Sequence, residues 1–465
     1  MGMKWTASDL VLAIELGEPT GQNRRRSLQH ALRDAVRAGR LTAGEGLPGS
    51  RELAVCLGMA RGTVVETYEQ LIAEGYLDSR SGSGTFVSAG AARVVSEPPQ
   101  TPSPAPAFAV DLRPGVPDLG SFPADDWAWA LARAARQMTR AQLGYGNATG
   151  HPFAREAIEQ ALRRTRAAET TPAHIVLGSG FAQCLSLVLG ALAGRGVRTL
   201  AVEDPGDRSV DGIAGAFGMD VLGIPVDAEG LDVAALAASG TQAVIVTPAH
   251  QAPTGAVLSP SRRAQLVAWA DQTGGWIIED DYDSEFRYDR QPVGALQGIA
   301  SGRVLLLGSI SKTHAPAIRV GWIAAPGSLV SALVDGKEAA DRGSSALDQY
   351  AFGLLLDSGR HDRHVRGMRS VYQRRRGALI AALAQFAPDL RLTGVDAGFH
   401  GLLPLPAAVD EDGLVREAER RSLALRGLSG YSLASSAQPM LAIGFGNADE
   451  DRITAGVQII AELTR

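Results

Sequence analysis

Five short apolar runs, HIVLGSG, TLAVEDP, AVIVTPA, GWIIEDD and RVLLLGS, recur between residues 174 and 309, with helical stretches such as AQCLSLVLGALA and SRRAQLVAWADQ between them. Strands this uniformly aliphatic have no polar face to give to water, so both faces must be covered. The intervening helices supply the cover, which predicts βαβ units around a largely parallel sheet. Each run ends in small or polar residues, and ligands gather at the carboxyl ends of strands in open α/β sheets. The uncharged run from Ile175 to Gly194 is about long enough to cross a bilayer. Its Gly178-Ser179-Gly180 turn divides it into a strand and a helix, a buried α/β pattern, and no membrane role is expected.

The pattern does not extend to the N-terminus. From Ser88 to Phe108 the chain reads SAGAARVVSEPPQTPSPAPAF, where proline, alanine and serine replace any apolar periodicity. Such composition favours extended, semi-rigid backbone. It predicts a linker at residues 89–108 between separate bodies at 1–88 and 109–465. With 465 residues and 45% apolar content, each body can bury its own core. The last hundred residues, including MRSVYQRRRGALIAALAQF and DEDRITAGVQIIAEL, read as helices around a smaller sheet. A net charge of -5 demands no anionic partner, so any DNA contact must be local. Cys56 and Cys184 both lie in apolar helical patterns, which argues against a disulfide framework or a metal site and for a reducing cytoplasm. The opening MGMKWTASDLVLAIELGEPT has acids threaded through it and reads as no secretory signal.

Residues 24 to 87 divide into a basic helix (RRRSLQHALRDAVRAG), a turn, a short helix (RELAVCLG), a second helix (ARGTVVETYEQLIAEGY) and a Gly-Ser hairpin (LDSRSGSGTFV). Val64, Tyr68, Leu71 and Ile72 fall at i, i+4, i+7 and i+8 and predict a core face, leaving the first turn of that helix free. In helix-turn-helix proteins this exposed turn reaches base edges. From Arg24 to Arg61 eight arginines face three acids, whereas from Gly62 to Gly90 one arginine faces four. The positive end is the expected end for double-stranded DNA. Arginine forks suit phosphates and guanine edges, which selects Arg51 and Arg61, with Thr63 and the wing residues Ser81, Gly82 and Ser83 behind them. Arginines that merely solvate a small helical domain would need no such wing.

The most specific residue of the larger body is Lys312, in SISKTHAPAIRVGW. A lone lysine is ordinarily a solvated charge. This one follows the apolar strand RVLLLG, which places it at the carboxyl edge of a buried sheet. There an ammonium is expensive unless paired or consumed chemically, and desolvation lowers its pKa. Condensation with an aldehyde is such a chemistry, and pyridoxal 5'-phosphate is the obvious aldehyde. Its phosphate needs donors, which Ser309, Arg319 and the helix opened by Gly180 and Phe181 can supply. Its ring nitrogen needs a carboxylate, and IIEDDYD offers Asp280 two residues before Tyr282. Alone, Asp280 could equally be a strand-end acid capping a turn.

LPGSRELAVCLGMARGTVVETYEQLIAEGYLDSRSGSGTFV resembles the winged helix-turn-helix of the GntR superfamily. DLRPGVPDLGSFP, LGYGNATGHPFAREAI, VEDPGDR, TPAHQAPTG, EDDYDSEFRY and SKTHAPAIRVGW resemble fold type I aminotransferases. The combination resembles the MocR/GabR family of bacterial transcriptional regulators. That likeness implies a winged head linked to a large, mainly parallel α/β/α domain with a smaller α/β domain. It implies that Lys312 forms the Schiff base without turnover, that Asp280 pairs the ring nitrogen and that Tyr282 approaches the phenolic oxygen. It further implies phosphate contacts from Ser309 and Arg319, Tyr145 donated by the partner of a head-to-tail homodimer, and His250 near the ring.

Three positions depart from that pattern. Asp207 stands where the family places a tyrosine that stacks on the ring, which should loosen the cofactor. Ala252 stands where transaminases carry asparagine. No arginine occurs between Arg426 and Arg452, the region that holds the carboxylate-clamping arginine in aminotransferases. The resulting expectation is a DNA-binding regulator that uses pyridoxal phosphate to sense a small-molecule effector: a small amine, an amino acid or the cofactor itself. The alternatives are a working aminotransferase and a scaffold that has lost the cofactor. A visible absorption band separates the last from the others.

Overall fold

A computed structural model of the protein describes residues 4–14, 24–80, 82–90, 108–288, 293–433 and 438–465. It divides into two compact units, residues 1–105 and 106–465. Most of the expected linker lies outside the described residues.

In the smaller unit the helices Ala7–Ala13, Arg24–Arg37, Ser50–Cys56 and Arg61–Ala73 close on a core that includes Leu28, Leu32, Leu53, Val64 and Leu71. The helix Arg61–Ala73 buries Val64, Thr67, Tyr68 and Leu71, whereas Ile72, expected inside, is half-buried. Thr67 takes the inner position because its hydroxyl donates to the Thr63 carbonyl at 2.8 Å, so nothing polar is left unpaired. The hairpin pairs β1 (Leu77–Arg80) with β2 (Gly84–Val87), Leu77 opposite Val87 and Arg80 opposite Gly84. Gly82 and Gly84 turn it at φ +73° and +106°, a region that disfavours side chains.

The larger unit starts with β3 (Val110–Asp111) and builds an eight-stranded sheet from β4 (Ile175–Gly178), β5 (Thr199–Asp204), β6 (Asp220–Asp227), β7 (Gly230–Leu231), β8 (Ala243–Val246), β9 (Trp276–Asp281), β10 (Val304–Ser309) and β11 (Gly321–Ala324). Its order is β4-β11-β10-β9-β8-β5-β6-β7. Strands β6, β5, β8, β9 and β10 run parallel. β11 runs antiparallel between β10 and β4, and β7 antiparallel to β6. The five apolar runs of the sequence are β4, β5, β8, β9 and β10, each buried over most of its length. β6 escaped recognition because it lies near the sheet edge and alternates between exposed and partly buried residues. Phe181–Gly194 and Gly327–Asp341 share one apolar cluster with the sheet, while Pro152–Arg166 and Pro260–Thr273 belong to two others.

The C-terminal part forms β12 (His400–Pro404), β13 (Leu423–Ala424), β14 (Arg426–Gly427) and β15 (Met440–Gly444). The smaller sheet has the order β12-β15-β14, and β13 pairs with β3. The helices Arg360–Phe386 and Glu450–Leu463 pack on it through residues such as Met368, Tyr372, Ile453 and Val457. Among the described residues no helix is long and apolar enough to cross a membrane.

Candidate functional site

The carboxyl ends of the central strands open onto a cavity of about 480 Å³, lined by Asp280, Tyr282, Ser309, Lys312, Arg319 and Phe181 among others. Lys312 Nζ donates to the Gly115 carbonyl at 2.5 Å. Burial lowers the lysine pKa, opposed by Asp280, Asp207 and Asp283. Asp280 is held well above the usual carboxylate range, first by burial and then by Asp207 and Asp281, with Lys312 pulling the other way. An amine and an acid, each biased toward its neutral form, thus share one enclosure.

At the far side the helix Phe181–Gly194 points its start at the same cavity. Gly180 precedes it at φ +81° with no side-chain cap, and the first turn of amides has no partner within the helix. Arg319, itself at φ +59°, donates from Nη2 to the Ser179 carbonyl at 2.5 Å. A Cβ on Gly180 would sit 2.8 Å from that guanidinium, so glycine lets the cation close over the helix start. The cationic fork, the amides and the Ser309 hydroxyl at the end of β10 line one cradle suited to an anion.

Of the other expected residues, His250 does not line this cavity, and Tyr145, expected from a partner subunit, does not line it within its own chain. His250 is buried behind the wall, with Nδ1 2.6 Å from Asp283 Oδ2, and His400 from β12 takes the wall position 4.7 Å from it, ring centre to ring centre. The Tyr282 hydroxyl donates to the His250 carbonyl at 2.8 Å. Tyr145 is 85% exposed and lines a shallow groove with Met138, Leu143 and Leu347, apart from the cavity.

Sequence reasoning missed Glu203, His400, Arg426 and Tyr431, all on the cavity wall. Glu203 accepts from Thr247 Oγ1 at 2.5 Å and from Gln251 Nε2 at 3.2 Å, yet burial pushes its carboxyl up to about 7. An acid inside the apolar run TLAVEDP was the available signal. The other three had none, because strands and a loop more than eighty residues away deliver them. Asp207 also lines the cavity, its carboxylate accepting from the Ser209 amide at 2.9 Å and hydroxyl at 2.8 Å. A Cβ on Gly206 would sit 2.2 Å from the Glu203 carbonyl, so this turn needs glycine.

On the smaller unit, much of the positive charge counted from sequence is already engaged. Arg25 pairs with Glu66 at 2.9 Å, Arg33 grips Glu74 with two bonds of 2.7 Å, and Arg37 donates to the Tyr76 hydroxyl. Arg51 and Arg61 are exposed and have no acid partner among the described residues, each in the first turn of its helix. Thr63 is half-buried, Gly82 and Ser83 are exposed on the wing, and Ser81 lies outside the described residues. Arg80, which the sequence reading passed over, stands on the same wing with Cζ 4.7 Å from the centre of the Phe86 ring.

Residues 24–87 match the gntR family of bacterial regulatory proteins, and residues 109–426 match aminotransferase class I and II. The chain is 30% identical over 456 residues to the probable rhizopine catabolism regulatory protein MocR of Rhizobium meliloti, spanning 93% of this chain and 92% of that one. The chain belongs to the MocR family of GntR-type regulators. To another such regulator, the HTH-type pyridoxine biosynthesis transcriptional regulator PdxR of Corynebacterium glutamicum, it is 32% identical over 453 residues, 96% of each chain. This MocR-family chain is therefore a DNA-binding transcriptional regulator whose larger unit has the aminotransferase fold. An archaeal alanine:glyoxylate aminotransferase shares that fold with a TM-score of 0.71 at 24% identity, over 77% of this chain and 91% of that one.

Proposed function

We propose that the larger unit binds pyridoxal 5'-phosphate in the cavity at Lys312 and uses it to sense a small amine, an amino acid or the supply of the cofactor. The observation that carries this reading is the convergence of Lys312, Asp280 and the anion cradle of Arg319, Ser309 and the helix start on one cavity. The size of the cavity is that of a small-molecule site. The clearance that Gly180 leaves beneath Arg319 suits a phosphate. When bound, the cofactor supplies an aldehyde able to condense with a primary amine. Lys312 offers that amine with its proton loosened by burial. Asp280 is placed to hold a proton on a ring nitrogen, and Arg319, Ser309 and the amides of Phe181 and Ala182 to hold a phosphate.

The regulator works in the cytoplasm as a homodimer, the exposure of Tyr145 being suited to a residue offered across a subunit boundary. Sensing is favoured over turnover because β15 carries no arginine. The retained lysine and acid keep an aminotransferase as the second reading. Both are tested on one sample. Protein reconstituted with pyridoxal phosphate should absorb in the visible region, and amines should change its affinity for operator DNA without steady release of keto acid. No band at saturating cofactor would overturn the cofactor reading, and sustained keto acid release would establish the enzyme.

A further inference from the structure

Three side chains from separate segments meet behind the cavity: His250 after β8, Asp283 after β9 and His400 at the start of β12, none more than 5% exposed. A ring nitrogen of each histidine and a carboxylate oxygen of Asp283 lie within 4.8 Å of one another. With Asp283 ionised, His250 Nδ1 is the donor to its Oδ2 at 2.6 Å, and the neutral ring then carries a bare lone pair on Nε2. His400 in turn hydrogen-bonds to the Gln251 backbone. Among the described residues neither His250 Nε2 nor His400 Nε2 has a hydrogen-bond partner, although both are buried. Buried polar atoms are ordinarily satisfied, so two orphaned imidazole nitrogens beside one carboxylate point to a ligand that accepts lone pairs.

The backbone is shaped around this group. At Gly398, φ +64°, a Cβ would sit 2.6 Å from Asp283 Oδ2 and collide with the His250 ring, so glycine lets the chain close over both. Two imidazoles and a carboxylate suit a zinc-type divalent ion, whereas magnesium and calcium prefer oxygen ligands alone. Histidine ligands characteristically tie their second ring nitrogen to a carboxylate or to backbone, as Asp283 and Gln251 do here. Zinc–nitrogen bonds of about 2.0–2.1 Å set ligand atoms about 3.4 Å apart, so the three draw in by roughly 1 Å on binding. We propose that His250, Asp283 and His400 form a site for a zinc-type divalent cation, open to the cavity on the side that His400 lines. The expectation against a metal rested on the cysteines, and these ligands converge only through the fold. A bound ion would join β12 of the smaller sheet to the turns after β8 and β9, and so stabilise the protein with or without a cofactor.

The test uses the full-length protein, freed of metal by a chelator and titrated with zinc chloride or magnesium chloride. Zinc should bind at about one ion per chain with a Kd of about 10 µM or tighter and raise the unfolding temperature, and magnesium should do neither. His400→Gln and Asp283→Asn should each weaken zinc binding by about tenfold or more and remove the thermal shift. His30→Gln, at an exposed position of the smaller unit, should change neither. A cooperative unfolding transition without zinc shows that a variant is folded, and the two variants test the site independently. Wild-type binding weaker than about 10 µM, or full-strength binding retained by either folded variant, overturns the proposal. These readouts need no cofactor, so a missing visible band overturns the cofactor reading alone.

Discussion

The carbonyl of Tyr431 accepts a hydrogen bond from the Gly206 amide at 2.9 Å. A second tie, from the Leu433 amide to Asp204 Oδ1 at 3.0 Å, fastens the same loop to the turn that carries Asp207. The loop from the smaller sheet thereby sets an aromatic ring on the cavity wall next to the position where the sequence lacks one. An aromatic contact adds about 0.5 to 1.5 kcal/mol beyond area burial. Tyr431→Ala is accordingly expected to weaken pyridoxal phosphate binding by roughly two- to tenfold. Asp207→Tyr is expected to stay within about twofold of wild type, since the aromatic place is taken. Cofactor titration of the three apo proteins decides it, and a large gain in Asp207→Tyr would mean that Tyr431 does not cover the ring.

Lys312→Ala should abolish the visible band of the loaded protein, because among the described residues the cavity wall offers no second lysine. Stability should change little, since the substitution also removes a buried charge. A band that persists in the variant would remove Lys312 from the assignment.

Arg51 and Arg61, which have no acid partner among the described residues, should separate in their effects on DNA. Arg61 opens the helix Arg61–Ala73, so Arg61→Ala should relax base preference by about 1 to 3 kcal/mol at one position. Arg51→Ala should weaken binding to all sequences alike and reduce the salt dependence. Binding isotherms on operator and scrambled DNA at matched salt test both, and a variant that binds like wild type shows that its arginine makes no contact.

Glu203 gives stability a pH dependence of definite sign. Its folded pKa of about 7 stands above the ordinary 4.5, so the native state holds the proton longer than the unfolded chain does. Stability from this group is full below about 4.5, declines as pH rises and levels off above about 7, a loss of about 3 kcal/mol. Urea midpoints at pH 5 and pH 8 should differ more in wild type than in Glu203→Gln. Equal differences would show that the buried carboxyl does not titrate in that window.

The sequence by itself determined the two bodies, the five buried strands of the main sheet and the residues that follow directly from strand ends. Lys312, Asp280, Tyr282 and Ser309 were legible because a sheet buried on both faces needs apolar runs, and the first polar residues beyond each run must emerge at one edge. Gly180 and Arg319 were legible for the same reason, being the turns next to those strands. Only the tertiary structure decided what closes the cavity. His400, Arg426 and Tyr431 belong to short strands and a loop of a different sheet, and no local period connects them to Lys312. It also decided which charges are free. A count of arginines along the chain treats Arg25, Arg33, Arg51 and Arg61 alike, whereas helix packing sets the first two against Glu66 and Glu74 and gives the others no acid partner among the described residues. Pairing depends on distances between segments far apart in sequence, and those exist only once the core has placed the helices.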